Sequence, residues 1–212
     1  ALPIFTKEHY PSKNVHILRG GITPSRWYPT NGIKLRHPCV GLLQGAVIWG
    51  KSKEMLILPQ ILKSMPDITF YWVGDGPYRE HILTSLSKFQ NFKWLGPMRY
   101  PDQVRNYLSE IDVYGLMSGS DMSPLTLQEA QLMKKPVIAT NIGGIPELIQ
   151  DNHTGFLVEK QNSTEWIDKI RQIIEDDHKA RRMGEEGRKF IETNFSWDTI
   201  AKDFVSISKI YI

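Results

Sequence analysis

The chain has 212 residues, of which 41% are hydrophobic and 23% are charged, and it carries a formal net charge of +3 and one cysteine. This length and composition predict one domain with an ordinary buried core. The single cysteine excludes an intramolecular disulfide framework, and without a dense Lys/Arg block the small positive charge gives no reason to expect a nucleic acid partner.

The sequence contains neither a run of about eighteen apolar residues nor a signal-peptide pattern, so we expect neither a membrane span nor secretion. Cys39 lies in an apolar run and is interpreted as a buried structural thiol in a reducing compartment. A cytoplasmic location follows, with peripheral contact at the cytoplasmic membrane face left open. The start at Ala1, without methionine, indicates a fragment or a processed chain.

Strand-like and helix-like segments alternate along the whole chain. Strands are predicted at 15–18, 39–43, 68–73, 92–95, 113–117, 136–139 and 156–158. Helices are predicted at 52–65, 77–88, 101–109, 124–134, 145–150, 163–176 and 178–193, before a last helix with Phe195, Trp197, Ile200 and Phe204 on its apolar face. The short apolar runs do not alternate with polar residues, as expected of strands buried on both faces. The predicted fold is α/β, a Rossmann-like parallel sheet with helices on both faces.

In open sheets of this kind, ligands bind beyond the carboxyl ends of the strands. The predicted loops at that edge are 42–53, 74–78, 96–99 and 117–126. We therefore expect the functional residues in these four loops.

The first of these loops matches a phosphate-binding pattern. The stretch from Gly45 to Ser52 reads G-x-x-x-x-G-K-[ST], follows a predicted strand and precedes a predicted helix. A P-loop hydrolase or kinase is therefore an alternative function. Val47, Ile48 and Trp49 are bulky and resist the positive φ angles of such a loop, which favours a fortuitous match.

The last of these loops leads into a helix whose start suits an anion. Ser123 is predicted to be the N-cap and Pro124 the first helical residue, where its missing N–H costs nothing. The amides of Leu125 and Thr126 would then face outward. Free amides and the positive end of the helix dipole attract a phosphate group.

Two carboxylates lie eight positions apart across this helix start. Asp121 precedes the helix, and Glu129 lies within it on a mostly apolar stripe. A buried charge needs a partner, so Glu129 is predicted to bind a polar ligand.

Four motifs in this order resemble a known family. They are the acidic-x7-Glu motif at 121–129, Lys-Pro-Val-Ile-Ala-Thr at 135–140, Gly-Gly-x-Pro-Glu at 143–147 and Gly-Phe-Leu-Val at 155–158. The order is similar to that in the nucleotide-sugar-binding, C-terminal half of retaining group-1 glycosyltransferases of the GT-B fold. The resemblance implies transfer of a sugar from a nucleoside diphosphate sugar, linked to UDP or GDP, to a glycan or lipid acceptor.

The resemblance also implies roles for individual residues. Lys51 and Asp121 are the predicted catalytic residues, which stabilise the leaving diphosphate and hold a hydroxyl of the donor sugar. The predicted donor-binding residues are Gly96, Met98, Ser123, Leu125, Thr126, Glu129 and Lys53. Of these, Glu129 would bind the ribose, and the main chain around Gly96 and Met98 would border the base.

Two positions depart from the family pattern. Leu42 stands where an arginine is expected, and Asp121 replaces the usual glutamate. The missing arginine keeps a noncatalytic nucleotide-sugar-binding module open as an alternative, beside an epimerase of the same fold. No cofactor and no metal are expected, since neither His81 nor His153 has a second ligand at metal-binding spacing.

The resemblance divides the chain into three parts. Residues 1–14 would be a linker or the end of a missing N-terminal acceptor domain, 15–195 the donor-binding domain, and 196–212 a C-terminal helix crossing toward the other domain. The isolated chain is therefore expected to be inactive.

Overall fold

A sheet of six parallel strands forms the centre of the part of the chain that the computed structural model describes, residue 16 and residues 18–209. The strands are β1 Cys39–Leu43, β2 Thr69–Val73, β3 Phe92–Gly96, β4 Val113–Leu116, β5 Val137–Thr140 and β6 Phe156–Val158. Their order across the sheet is β3-β2-β1-β4-β5-β6. The Rossmann-like α/β prediction is confirmed.

Helices cover both faces of this sheet. They are α1 Trp49–Ser52, α2 Leu58–Ser64, α3 Arg79–Leu86, α4 Asp102–Glu110, α5 Leu125–Leu132, α6 Ser163–Ile174, α7 Asp177–Phe195 and α8 Trp197–Ser208, with 3-10 helices at Pro24–Arg26, Lys53–Ile57 and Ile145–Glu147. Helices α4 and α5 pack on one face, α2, α3 and α6 pack on the other, and α7 contributes to both cores.

Side chains of β1 alternate between these two cores because successive residues of a strand point to opposite faces. Cys39 and Leu43 belong to the core under α4 and α5. Val40 and Leu42 belong to the core under α2 and α6. All five residues of β1 are buried, so ligand contacts at this strand are confined to its carboxyl end at Leu43 and to the loop that follows.

The last three helices begin at polar caps. Each capping side-chain oxygen accepts a hydrogen bond from the backbone amide three residues further along the chain. Amides in the first turn of a helix have no partner within the helix, so the cap supplies one. The pairs are Asn162 with Glu165, Asp176 with Lys179, and Ser196 with Thr199.

Four predicted elements differ from the structure. The helix predicted at 52–65 is a 3-10 helix at Lys53–Ile57 followed by an α-helix at Leu58–Ser64. His16 and Leu18 do not belong to a strand, although a strand is predicted at 15–18, and the other two positions of that prediction lie outside the described residues. The helix predicted at 145–150 is only the 3-10 turn Ile145–Glu147. Trp94 and Leu95 of the edge strand β3 are exposed, so the prediction of burial on both faces was wrong there.

The last predicted helix exists, but only part of its apolar face is covered. Ile200 is buried, whereas Trp197 and Phe204 are more than half exposed. Residues 1–14 lie outside the described residues, and the assignment of domains stays a prediction. Among residues 16 and 18–209, none of the helices combines the length and the hydropathy that a membrane span requires.

Candidate functional site

A cleft of about 410 Å³ opens at the carboxyl ends of β1 and β4. These strands are neighbours, but the chain runs outward from β1 through β2 and β3 before it returns to β4. The loops after β1 and β4 therefore diverge, and such a switch point is where open α/β sheets bind ligands. The cleft is lined by Leu43, Gln44, Gly45, Val47, Ile48, Lys51, Leu116, Ser118, Asp121, Ser123, Pro124, Leu125 and Thr126.

Hydrogen bonds at two places connect the two sides of the cleft. The Gln44 side chain donates to the Met117 carbonyl at 2.7 Å and accepts from the Met117 amide at 3.0 Å. The Gly119 amide donates to the Lys51 carbonyl at 2.9 Å. The loop that carries Asp121 is thereby held against the helix that carries Lys51.

Lys51 and Asp121 form an ion pair across the cleft. Lys51 Nζ lies 3.0 Å from Asp121 Oδ2, and the other carboxylate oxygen accepts from the Met122 amide at 2.9 Å. The Asp121 side chain is 14% exposed and that of Lys51 is 37% exposed. The carboxylate is therefore fixed, and the ammonium group remains open to an anion in the cleft.

Helix α5 begins at Leu125, so the predicted N-cap was wrong. Pro124 occupies the cap position with ψ of 115°, and no side chain caps the helix. The Ser123 hydroxyl instead accepts from Gln128 Nε2 at 3.4 Å. Leu125 and Thr126 are now the first two helical residues, whose amides have no partner within the helix. Both line the cleft, as the phosphate prediction requires.

The turn at Gly143-Gly144 packs against the loop that carries Asp121. The Gly144 amide donates to the Asp121 carbonyl at 2.9 Å. An added Cβ at Gly143 would clash with the Asp121 carbonyl, and one at Gly144 with the Met122 carbonyl. Both glycines are therefore needed for this close approach, a role that the sequence motif alone does not reveal.

Glu129 lies one turn into α5 and is 3% exposed. Burial raises the pKa of its carboxyl group to about 7, and a hydrogen bond from Tyr100 partly offsets this rise. Tyr100 follows β3, and its hydroxyl pKa is itself raised by burial and by Glu129. The structure thus gives Glu129 a tyrosine partner that sequence reasoning did not identify.

The sequence model of the family described as glycosyl transferases group 1 matches residues 54–190, more than half of the chain. The chain belongs to this family. A GDP-mannose-dependent monoacylated alpha-(1-6)-phosphatidylinositol monomannoside mannosyltransferase of Corynebacterium glutamicum is 30% identical over 169 residues, which are 74% of this chain and 43% of that protein.

Solved structures share the fold of this group-1 chain. Sucrose-phosphate synthase of Thermosynechococcus elongatus superposes with a TM-score of 0.81 at 20% identity, over 99% of this chain and 56% of that one. Anabaena HepE in complex with UDP and glucose superposes with a TM-score of 0.76 at 20% identity, over 92% of this chain and 56% of that one. The chain thus spans about half the length of these relatives.

Leu42 stands where the group-1 pattern has an arginine, and its side chain does not line the cleft. Leu42 is fully buried in the core that also contains Trp166. The strand continues to Leu43, and Gln44 is the first residue beyond it to line the cleft. Position 42 therefore presents no side chain to an anion in the cleft.

The P-loop alternative does not fit the same stretch. The Ser52 side chain is buried and its hydroxyl donates to the Ile48 carbonyl at 2.9 Å. The Ala46 amide donates to the Asp75 carbonyl at 2.9 Å, so it does not face a phosphate. A P-loop needs free amides and a hydroxyl available to magnesium.

The remaining predicted donor residues lie outside the cleft lining. Gly96 has φ of 76°, and a Cβ there would meet open space. Met98 is partly buried against the core beneath α5. Lys53 is exposed at the start of a 3-10 helix. Gly96 is the last residue of β3, and Met98 lies in the loop after this strand with Tyr100, which reaches Glu129.

The structure also places the two histidines that were considered as ligands. The His81 ring lies 5.8 Å from the Trp49 ring and 6.2 Å from the Tyr78 ring, in an aromatic cluster. His153 is exposed in the turn before β6.

We expect Gly144→Ala to lower the free energy of unfolding by about 1–3 kcal/mol, because the new methyl group must push the Asp121 loop away. The matched control is Gly50→Ala, where a Cβ meets nothing within 4 Å. Urea denaturation of both variants measures the difference. Equal midpoints for the two variants would show that the two loops are not packed as described.

Proposed function

We propose that this chain is the donor-binding half of a retaining glycosyltransferase that moves a sugar from a nucleoside diphosphate sugar to an acceptor. The observation that carries the proposal is the convergence of Lys51, Asp121 and the amino end of α5 in one cleft. Family membership supports the same reaction class. The cleft volume of about 410 Å³ lies in the range of about 300–1,000 Å³ typical of small-molecule sites.

The diphosphate would lie against the start of α5. When the bond between the anomeric carbon and the phosphate oxygen breaks, negative charge develops on the leaving diphosphate. The amides of Leu125 and Thr126, the helix dipole and the Lys51 ammonium group all place positive charge there. These groups supply the charge neutralisation that other enzymes obtain from a divalent ion, so we infer metal-independent binding. Lys53 would add a weaker, solvent-exposed charge.

The ribose would bind at Glu129. This residue is four positions beyond Leu125, which corresponds to about 6 Å along the helix axis. Its carboxylate has two oxygens that can accept hydrogen bonds from the two vicinal hydroxyls of a ribose. The adjacent main chain around Gly96 and Met98 would border the base. Tyr100, which donates a hydrogen bond to Glu129, would have to share or release the carboxylate.

Asp121 would hold a hydroxyl of the donor sugar. Its carboxylate is already oriented by Lys51 and by the Met122 amide, so the sugar would meet a fixed acceptor. The acceptor hydroxyl would attack on the same face from which the diphosphate leaves, giving retention. The Corynebacterium relative is GDP-mannose-dependent and the Anabaena structure contains UDP and glucose, which supports a UDP- or GDP-linked donor here.

The acceptor would be held by a facing N-terminal domain. The cleft is open. Residues 15–195 would form the donor-binding unit. Residues 1–14 would lead from the N-terminal domain, and residues 196–212 would cross back toward it. The acceptor would be a glycan or a lipid. The protein would be cytoplasmic, and it would contact the membrane peripherally if the acceptor is a lipid. Without the facing domain nothing excludes water, so we expect this chain alone to bind donor without appreciable transfer.

Two adjacent substitutions test the phosphate site. We expect Lys51→Ala to weaken UDP binding about 10-fold and to leave uridine binding unchanged, because only the diphosphate meets the ammonium group. Ser52→Ala should leave both affinities unchanged, because its hydroxyl is bonded to the Ile48 carbonyl. Isothermal titration without and with magnesium measures both. Loss of binding in Ser52→Ala together with a magnesium requirement would support a P-loop and overturn the proposal.

A further inference from the structure

A second group of reactive side chains lies at the amino ends of β1 and β4, at the edge of the sheet opposite the cleft. His37 and Cys39 flank Pro38 where β1 begins, and Asp112 directly precedes β4. One ligand atom from each of these three side chains lies within 4.8 Å of the other two. His37 Nδ1 is 2.8 Å from Asp112 Oδ2 and 3.8 Å from Cys39 Sγ.

We propose that His37, Cys39 and Asp112 bind a divalent metal ion of the zinc class. Imidazole nitrogen, thiolate sulfur and carboxylate oxygen are the three ligand types that zinc takes in proteins. Tetrahedral zinc with ordinary bond lengths places such ligand atoms about 3.4–3.6 Å apart. The separation of 3.8 Å between Nδ1 and Sγ is close to this value. The hydrogen-bonded pair at 2.8 Å would open by roughly 0.6 Å as the metal takes the place of the proton between Nδ1 and Oδ2, which passes to solvent.

The groups around these ligands are arranged as metal sites require. His37 Nε2 lies 3.1 Å from Glu110 Oε1, so Nε2–H can donate a hydrogen bond to this carboxylate, and Nδ1 can bind the metal once its own proton is released. The Cys39 amide donates to Asp112 Oδ2 at 2.7 Å and orients the third ligand. A neighbouring carboxylate on the far nitrogen of a metal-binding histidine is a recurrent feature of such sites.

The His37 and Asp112 ligands are accessible to solvent, whereas Cys39 is fully buried beside them. His37 and Asp112 open onto a cavity of about 560 Å³, from which a water molecule can complete the coordination. Burial raises the pKa of the Cys39 thiol to about 12, so the metal must displace the thiol proton, which passes to solvent. The thiolate and the Asp112 carboxylate then balance the charge of the ion. The nearby cation Lys135 donates to the Ser109 carbonyl at 2.8 Å.

The ion would join the segment before β1 to the loop between α4 and β4. Because this site and the cleft lie at opposite ends of the strands, metal binding should not change nucleotide affinity. The sequence predicts no metal because His81 and His153 have no second ligand at metal-binding spacing; only the fold brings His37 next to Asp112, which is 75 positions away. A failure of this proposal would therefore leave the proposed function untouched.

Cobalt titration of the chelator-treated chain tests the site. We expect one equivalent of Co²⁺ to bind with a near-ultraviolet thiolate-to-cobalt charge-transfer band, and one equivalent of Zn²⁺ to displace it. Cys39→Ser should lose the band, and Glu110→Gln should weaken binding about 10- to 100-fold. His153→Ala is the matched control and should bind like the wild type, because His153 is exposed and is not one of the three ligands.

Three results would overturn the proposal: no binding at stoichiometric concentration, binding without the charge-transfer band, or a band that persists in Cys39→Ser. If Cys39→Ser does not fold, His37→Ala replaces it, because that side chain is 41% exposed and its removal leaves the core intact. His37→Ala should bind cobalt at least 10-fold more weakly. Unchanged affinity in that folded variant would equally overturn the site.

Discussion

We expect Glu129→Gln to make the protein more stable than the wild type at pH 8, by about 3 kcal/mol, and equally stable at pH 4. Burial raises the pKa of the Glu129 carboxyl group from 4.5 to about 7 in the folded protein. Between these values the folded state binds more protons than the unfolded state, so the free energy of unfolding falls as the pH rises. Glutamine stays neutral and removes this dependence.

Urea denaturation between pH 4 and pH 8 measures the effect. The difference between Glu129→Gln and the wild type should grow from pH 4.5 to pH 7 and stay constant above. Glu186→Gln, at an exposed position on α7, is the matched control and should follow the wild type. Parallel curves for Glu129→Gln and the wild type would show that the carboxyl group is not buried as described.

The second large effect concerns ligand binding. We expect Glu129→Ala to weaken the affinity for a nucleoside diphosphate by about 2–4 kcal/mol, roughly 30- to 1,000-fold, because two charge-assisted hydrogen bonds to the ribose are lost. Calorimetry with UDP and GDP, beside circular dichroism to verify the fold, measures this. Glu186→Ala should bind like the wild type. An unchanged affinity in folded Glu129→Ala would remove the ribose role.

Much of the fold can be predicted from short patterns. The apolar runs locate all six strands of the described residues because buried parallel strands are continuous hydrophobic segments. The same patterns fail at β3, where Trp94 is exposed, since a sequence does not reveal which strand the helices leave uncovered. The prediction of a helix at 145–150 is wrong because the preceding Gly143-Gly144 turn packs against the Asp121 loop, and only a 3-10 turn follows it.

The residues of the cleft can be predicted in part. Lys51, Asp121, Leu125 and Thr126 are found together because each follows the carboxyl end of a strand, and those ends share one edge. Their mutual contacts cannot be predicted locally. The Lys51–Asp121 pair joins residues 70 positions apart, and the Gln44 contact to Met117 spans 73. Such pairs depend on the strand order, which no single segment encodes.

Titration of the wild-type chain with UDP, GDP, ADP and ATP, each with and without magnesium, tests the central claim most directly. The structure places a lysine, a fixed carboxylate and the amino end of α5 in one cleft. We therefore expect a nucleoside diphosphate, UDP or GDP, to bind with modest affinity and without dependence on magnesium. Binding of ATP alone and only with magnesium, or no binding of any nucleotide, would contradict a donor site in this cleft.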